Sequence, residues 1–282
     1  MRPPPTITRA LADAGARLSP ASPTARLDAE VLLAHACSLA RSALLAHGAR
    51  VLSDAEGERF AGLVDRRGAG EPVAYLTGRR EFWSLDLEVG PAVLIPRPET
   101  ELLVEQALAR VPHGAAWSIA DLGVGSGAVA LAIGVERPRC RVVATERDPA
   151  ALAVAARNRD RLGIGNVELR AGDWCDPLDG ERFDIIVSNP PYVADSDPHL
   201  GQGDVRFEPR AALAAGADGL DAIRPLVACA PAHLRPGGWL LLEHGFDQAQ
   251  RVRGLMARAG LGAVATHVDL SGTERVTEGR AA

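Results

Sequence analysis

Asn189-Pro190-Pro191-Tyr192 is the stretch of this chain best equipped to do chemistry. The Asn189 side chain carries one carbonyl acceptor and one amide donor. Two consecutive prolines contribute no backbone N–H and hold the main chain extended and stiff. Nearby carbonyls are therefore left free to accept. Asn189 Oδ1 and the Pro190 carbonyl can each take one N–H of a planar –NH2 group, and Tyr192 can stack on its flat face. A tyrosine here would serve equally well as a core residue. Asparagine is rare in the chain, with Asn158 and Asn166 as its only other occurrences.

A second set of residues suits a nucleotide-like ligand. In Gly123-Val124-Gly125-Ser126-Gly127 the glycines let backbone approach a ligand closely, and a following helix N-terminus favours negative charge. Gly123, Gly125 and Ala128 also satisfy the dinucleotide-binding spacing, so the loop alone does not choose between ligands. Glu146, at the end of the next strand, is placed to bind ribose hydroxyls. Asp173-Trp174 ends the strand after that; an acid beside an aromatic can hold an adenine by its amino group and its face. Simple packing is the alternative for Trp174, and a solvated carboxylate for Glu146.

These groups need elements to hold them. Residues 183–188 are a short apolar run, which predicts a buried parallel strand stopped by the prolines. Strands are also expected over 117–122, 141–146, 167–171 and 239–243, with two closing strands over 263–268 and 275–279. Helices are expected over 128–135, from Asp148-Pro149 to Gly163, over 220–234 and over 248–258, with a turn at Pro236-Gly237-Gly238. Alternating strands and helices imply a mostly parallel sheet, which binds ligands at the carboxyl ends of its strands. The polar segment 193–213 is of a length that is usually functional or mobile, and could close over a substrate.

The chain divides near residue 80. Before it lie short helices, one with an apolar face of Ile7, Ala10, Leu11 and Ala14, another with Leu27, Val31, Leu32 and His35. Ser53-x-x-Glu56 is a capping-box signature, followed by Phe60, Leu63 and Val64 on the buried side. Residues 82–89 and 92–95 predict a hairpin turning at Gly90-Pro91. A helix from Leu102 to Ala109 opens after Arg97-Pro98-Glu99-Thr100-Glu101.

Composition excludes several classes. The chain has 282 residues, 47% hydrophobic, enough for a sizeable core. No segment approaches the ~18 consecutive apolar residues of a membrane span. No apolar signal region follows Met1-Arg2-Pro3-Pro4-Pro5. Cys37, Cys140, Cys175 and Cys229 show no paired spacing, so neither a zinc site nor a disulfide framework is indicated, and free thiols in a cytoplasmic protein are expected. The net charge of −5 argues against a general nucleic-acid surface. All 31 basic residues are arginine, which excludes any lysine-based mechanism.

Asp121-x-Gly123-x-Gly125-x-Gly127, Glu146, Asp173-Trp174 and Asn189-Pro190-Pro191-Tyr192 follow one another on successive strand ends. In this the chain resembles the S-adenosylmethionine-dependent methyltransferases that act on nitrogen. More closely, it resembles the HemK/PrmC family, the glutamine-N5 methyltransferases of peptide-chain release factors. The stretches 80–84, 94–101, 202–209, 241–245 and 274–277 carry the same likeness. Val124 and Ser126 replace the more familiar threonines of the loop, and Glu146 stands where Asp is common.

The resemblance implies a seven-stranded, mostly parallel Rossmann-like methyltransferase sheet over 98–282. It implies a helical substrate-docking domain over 1–78 and a β-hairpin linker over 79–97. S-adenosyl-L-methionine would bind at Gly123, Val124, Gly125, Ser126, Gly127, Glu146, Asp173, Trp174 and Asn189. Asn189, Pro190, Pro191 and Tyr192 would bind the substrate amide, with Asn189, Pro190 and Tyr192 catalytic and no metal. A class 1 release factor is the implied partner, with no direct nucleic acid, no membrane and a monomeric enzyme. Arg9, Arg17, Arg26, Arg41 and Arg50 could engage an acidic partner. His244 reads as structural rather than as a base. A nucleic-acid amino methyltransferase, a non-catalytic cofactor-binding module and a dinucleotide oxidoreductase are the rival readings.

Overall fold

The computed structural model describes residues 4–282, so that Met1–Pro3, the start of the N-terminus read above, lie outside the described residues. The chain forms two units, one made of the stretch up to Arg79 together with Gly203–Phe207, the other of Arg80–Gln202 and Glu208–Ala282.

The first unit is helical: α1 (Ile7–Leu18), α2 (Ala25–Cys37), α3 (Arg41–Ala46), α4 (Asp54–Gly68) and α5 (Val73–Thr77). α1 buries Ile7, Ala10, Leu11, Ala14 and Leu18, a face spaced at the helical period. The capping box of α4 forms, with Ser53 and Glu56 each serving the other's backbone N–H. The expected face of α2 is corrected. Asp28, Ala29, Leu32, Leu33 and Ala36 are buried, whereas Leu27 is exposed. The cause is an ion pair: Arg67 reaches Asp28 at 2.7 Å and Asp204 at 2.6 Å, which draws a charged residue into the core. Arg9, Arg17, Arg26, Arg41 and Arg50 each lie within ion-pair distance of an acid of this unit, Asp13, Asp65, Glu30, Glu30 and Glu56.

The second unit opens with a two-stranded hairpin, β1 (Arg79–Phe82) and β2 (Leu85–Glu88). Its turn lies at Trp83-Ser84 and not at Gly90-Pro91; both turn residues have positive φ, 52° and 59°. The bend is held by side chains, with the Trp83 N–H donating to Glu101 and the Ser84 N–H to Glu81. There follow α6 (Glu101–Arg110), β3 (Ser118–Leu122), α7 (Ala128–Glu136), β4 (Arg141–Glu146), α8 (Pro149–Leu162), β5 (Val167–Ala171), β6 (Phe183–Ser188), α9 (Ile223–Cys229), β7 (Leu234–Glu243), α10 (Ala249–Arg258), β8 (Gly262–Val268) and β9 (Glu274–Arg280). α9 is shorter than the 220–234 expected, and its end passes into a 3-10 turn carrying Pro231. The turn expected at Pro236–Gly238 is part of β7, because Gly237 and Gly238 exchange backbone hydrogen bonds with Ala281.

β3 to β9 form one sheet in the order β5-β4-β3-β6-β7-β9-β8. All pairings are parallel up to β7, and β9 runs antiparallel to both its neighbours. This is the seven-stranded, mostly parallel sheet that the strand pattern implies. Neighbouring residues of each strand face opposite layers, as the pleat requires. Ile119, Val142, Ile185 and Leu241 pack on α6, α7 and α8; Ala120, Val143, Ile186 and Leu240 pack with α9 and α10. Burial on both faces is what makes these strands read as continuous apolar runs.

The free-thiol expectation is also corrected: Cys175 and Cys229 are joined in a disulfide, while Cys37 and Cys140 are free. The turn after β5 and the end of α9 lie in the same hydrophobic layer, which joins cysteines 54 residues apart. No helix among the described residues is long and apolar enough to cross a membrane.

Candidate active site

The sheet order reverses between β3 and β6, which leave a crevice at their carboxyl ends where open α/β sheets bind ligands. The buried Ser188 hydroxyl ties the two ends together by donating to the Leu122 carbonyl at 2.5 Å. The glycine loop after β3 and Asn189 after β6 are thereby brought to one cleft. That cleft is open to solvent at its mouth.

The loop is folded over the end of β4. The N–H groups of Gly123 and Val124 both donate to the Thr145 carbonyl at 2.9 Å. Glu146 then grips the loop, accepting from the Gly125 N–H at 3.0 Å and from the Asp148 N–H at 3.0 Å. The glycines differ in purpose. A Cβ on Gly123 would stand 2.9 Å from the Trp174 ring, so this glycine makes room for the tryptophan. Gly125, at φ 53°, has nothing within 4 Å of its missing Cβ and faces open space. Gly127 packs against Leu131 and does not line the cleft. Val124, Ser126, Glu146, Asp173, Trp174, Asn189 and Pro191 do line it. Trp174 is held at φ 41° with its carbonyl accepting from the Thr145 hydroxyl at 2.9 Å.

α7 starts at this loop with a glycine at its N-cap, so no cap side chain stands between its first N–H groups and the cleft. Asp121, 2% exposed, accepts from the Ala130 N–H at 3.0 Å. Burial pushes its carboxyl up to about 7, against that hydrogen bond and assisted by the nearby Glu146 charge.

A smaller cleft adjoins the first, lined by Pro190, Tyr192, Arg97 and Leu213 among others, and Asn189, Leu94 and Ala212 belong to both. Asn189 thus stands at the junction. Its Nδ2 donates to the Thr100 hydroxyl at 3.1 Å, which leaves Oδ1 as the uncommitted end of the amide. The Tyr192 hydroxyl donates to the buried Glu243 at 3.2 Å, and burial raises the tyrosine pKa well above its ordinary value. Gln248 Nε2 holds the backbone behind the motif, donating to the Tyr192 carbonyl at 2.9 Å and the Gly219 carbonyl at 3.2 Å. His244 is fully buried between the Gly245 carbonyl and the Thr277 hydroxyl, and burial lowers its pKa.

Residues 209–212 supply part of the cleft wall. They are anchored by Glu208, which accepts the Ile95 N–H at 3.0 Å and pairs with Arg97. Thr100, Glu208, Glu243 and Gln248 have no place among the residues singled out from sequence. The signal for three of them was their position inside the stretches 94–101, 202–209 and 241–245; for Gln248 there was none.

Comparison with known proteins places the chain among similar sequences and folds. Residues 9–78 match the family model of the PrmC N-terminal domain and residues 98–203 that of the methyltransferase small domain. The release factor glutamine methyltransferase of Xylella fastidiosa (strain Temecula1) is 58% identical over 255 residues, spanning 90% of this chain and 93% of that protein. The protein of the same name from Pseudomonas aeruginosa is 54% identical over 261 residues, spanning 93% and 94%. A methyltransferase of solved structure from Pyrococcus furiosus shares the fold, with 21% identity, a TM-score of 0.54, and 78% of this chain and 98% of that one covered.

Proposed function

The chain belongs to the release factor glutamine methyltransferase family, and on that footing we propose that it transfers a methyl group from S-adenosyl-L-methionine to a glutamine side chain. The acceptor in this reading is the N5 amide of the glutamine in the Gly-Gly-Gln motif of class 1 peptide-chain release factors. The reaction would modulate translation termination in the cytoplasm, carried out by a monomer acting directly on protein. The observation that carries the reading is Asn189, at the junction of a large cleft and a small one with only its acceptor end uncommitted.

The large cleft fits the methyl donor. Open space over Gly125 gives a ligand the room that a side chain would fill. The start of α7, where Asp121 takes only the Ala130 N–H, leaves other donors for a carboxylate. Glu146 keeps lone pairs for ribose hydroxyls beyond the two N–H groups it accepts. Asp173 and Trp174 offer an acceptor and a flat wall to adenine. When bound, S-adenosylmethionine supplies an electrophilic methyl group on a sulfonium.

The chain's own part is to prepare the nucleophile. An amide nitrogen is a poor one, because its lone pair is delocalised into the carbonyl. Asn189 Oδ1 and the Pro190 carbonyl, accepting its two N–H bonds, raise electron density on that nitrogen and stabilise the positive charge that develops. The Pro-Pro stiffness fixes the Pro190 carbonyl before substrate arrives, so little reorganisation of the backbone is needed. Leu94, Pro209 and Ala212 give the cleft an apolar wall. No general base is needed before transfer, and the proton leaves to solvent afterwards.

Purified protein supplied with labelled S-adenosylmethionine, a release factor and adenine-containing DNA or RNA tests this directly. Label in the release factor alone is expected. Label in nucleic acid, with the release factor untouched, would transfer the motif to an amino group of adenine.

A further inference from the structure

The Asn189 carboxamide has two ends of nearly the same shape, one accepting and one donating. Only the accepting end can serve an acceptor amide that presents N–H, so the enzyme must fix which end faces the substrate. Asn189 itself cannot decide this. We propose that Thr100 and Glu243 are positioning residues that hold the Asn189 oxygen toward the substrate amide, with Tyr192 bracing the same carboxylate. The inference rests on the amide-methylation reading above and assigns two residues that the Asn-Pro-Pro-Tyr motif does not contain.

The geometry runs through one hydroxyl. Thr100, 3% exposed, accepts the Asn189 Nδ2–H at 3.1 Å. A threonine hydroxyl has a single proton, and it can offer a lone pair to Asn189 only if that proton is directed elsewhere. On this proposal the Glu243 carboxylate takes it, since Thr100 favours that carboxylate's charged form. Thr100 and Tyr192 are the two hydroxyls whose hydrogen bonds favour its charged form. A threonine at the start of a helix ordinarily caps it by accepting a backbone N–H. Thr100, in helical dihedrals at the end of the 3-10 turn Pro98–Thr100 that runs into α6, is not a cap of this kind and makes no such bond. Its hydroxyl is spent on Asn189 instead.

Glu243 is poorly placed to serve stability alone. It is 1% exposed, Oε1 accepts the Tyr192 hydroxyl at 3.2 Å, and Oε2 finds no hydrogen-bond partner among the described residues. A buried, incompletely satisfied carboxylate costs free energy. It sits on β7 one residue beyond Leu242, the partner of Ser188 in β6, and so directly behind the motif. The charged groups facing it are Arg275 on β9, which favours the carboxylate, and Glu99 before α6, which opposes it; Arg97 acts on Tyr192. Burial outweighs the favourable contacts and lifts Glu243 to about 7.

That value gives the device a signature. Ionised Glu243 only accepts, so the Thr100 proton points to it and Asn189 presents its oxygen to substrate. Protonated Glu243 can donate to Thr100, whose own proton is then free to reach Asn189 Oδ1. The carboxamide turns over and offers N–H to N–H. Turnover should therefore rise with pH along a limb near the Glu243 pKa.

The test compares Thr100→Val, Thr100→Ser and Glu243→Gln with the wild type, in the full chain with intact release factor. Turnover, KM for the release factor, cofactor Kd and the pH profile are read for each. Thr100→Val should lower kcat about 10–100-fold, the scale of a misplaced catalytic group, with KM and cofactor Kd nearly unchanged. Thr100→Ser, which keeps the hydroxyl, should recover most of the loss. Glu243→Gln should abolish the ascending limb. Equal turnover in the valine and serine variants, or an unshifted limb in Glu243→Gln, overturns the inference while the wild type still methylates. A wild type that methylates no glutamine overturns the functional reading itself, and the inference with it.

Discussion

Asn189→Ala removes one of the two acceptors at the transferred group and leaves the Pro-Pro backbone in place. The loss of one oxyanion-hole donor is the nearest measured analogue, with charge of opposite sign. By that analogy kcat should fall by about 2.7–4 kcal/mol of transition-state stabilisation; turnover within a few-fold of wild type in a folded variant would remove Asn189 from the mechanism. Glu146→Ala should weaken cofactor binding by about 1–3 kcal/mol, the value of a charged hydrogen bond, and titration calorimetry reads this directly. The two buried carboxylates add a pH effect on stability. Burial raises Asp121 and Glu243 to about 7, from ordinary values of 3.8 and 4.5. Between those limits the folded chain keeps protons that the unfolded chain has released, so this contribution is full in acid and is lost as pH rises through about 7. Asp121→Asn should thus gain stability relative to wild type on going from about pH 5 to about pH 8, by roughly 1–4 kcal/mol. Urea unfolding at the two pH values measures the difference; a constant difference would contradict it. Asn189, Glu146 and Trp174 were legible because each is a distinctive residue at a strand end. Thr100 and Glu243 were not, because their meaning lies in partners 89 and 51 residues away.

The strands were legible for a reason of burial. β4 and β6 are compact buried runs bounded by turn residues, β5 is an edge strand with only Val167 buried, and the observed limits of all three coincide with those expected. Where local pattern and tertiary contact disagreed, contact won. α2 buries Asp28 because Arg67 meets it, and no periodicity of apolar residues announces an ion pair. The hairpin turns at two residues without glycine because Glu81 and Glu101 hold its N–H groups. The Cys175–Cys229 link between the β5 turn and α9 is of the same kind, invisible in spacing and produced by shared burial. It closes a long loop, and Cys229→Ser should lower the unfolding free energy by about 2–4 kcal/mol. Wild type in reductant should match the variant; identical urea midpoints for wild type with and without reductant would show that the link contributes nothing.

At the scale of the whole chain, the break near residue 80 was visible as a change from helical stripes to alternating strands and helices. The return of Gly203–Phe207 to the first unit was not, since it depends on pairs such as Arg67 with Asp204. The five arginines named in the helical unit offered a docking surface on paper, yet each has an acid beside it, Arg26 and Arg41 sharing Glu30. The central claim is that Asn189 and Pro190 present a glutamine amide for methylation. Its most direct test is peptide mass spectrometry, with fragmentation, of a release factor incubated with S-adenosylmethionine and either the wild type or Asn189→Ala. One methyl group on the side-chain amide of the Gly-Gly-Gln glutamine, formed by the wild type and nearly absent with the variant, is the predicted result. A methyl group on any other residue, or equal methylation by both proteins, would contradict the account.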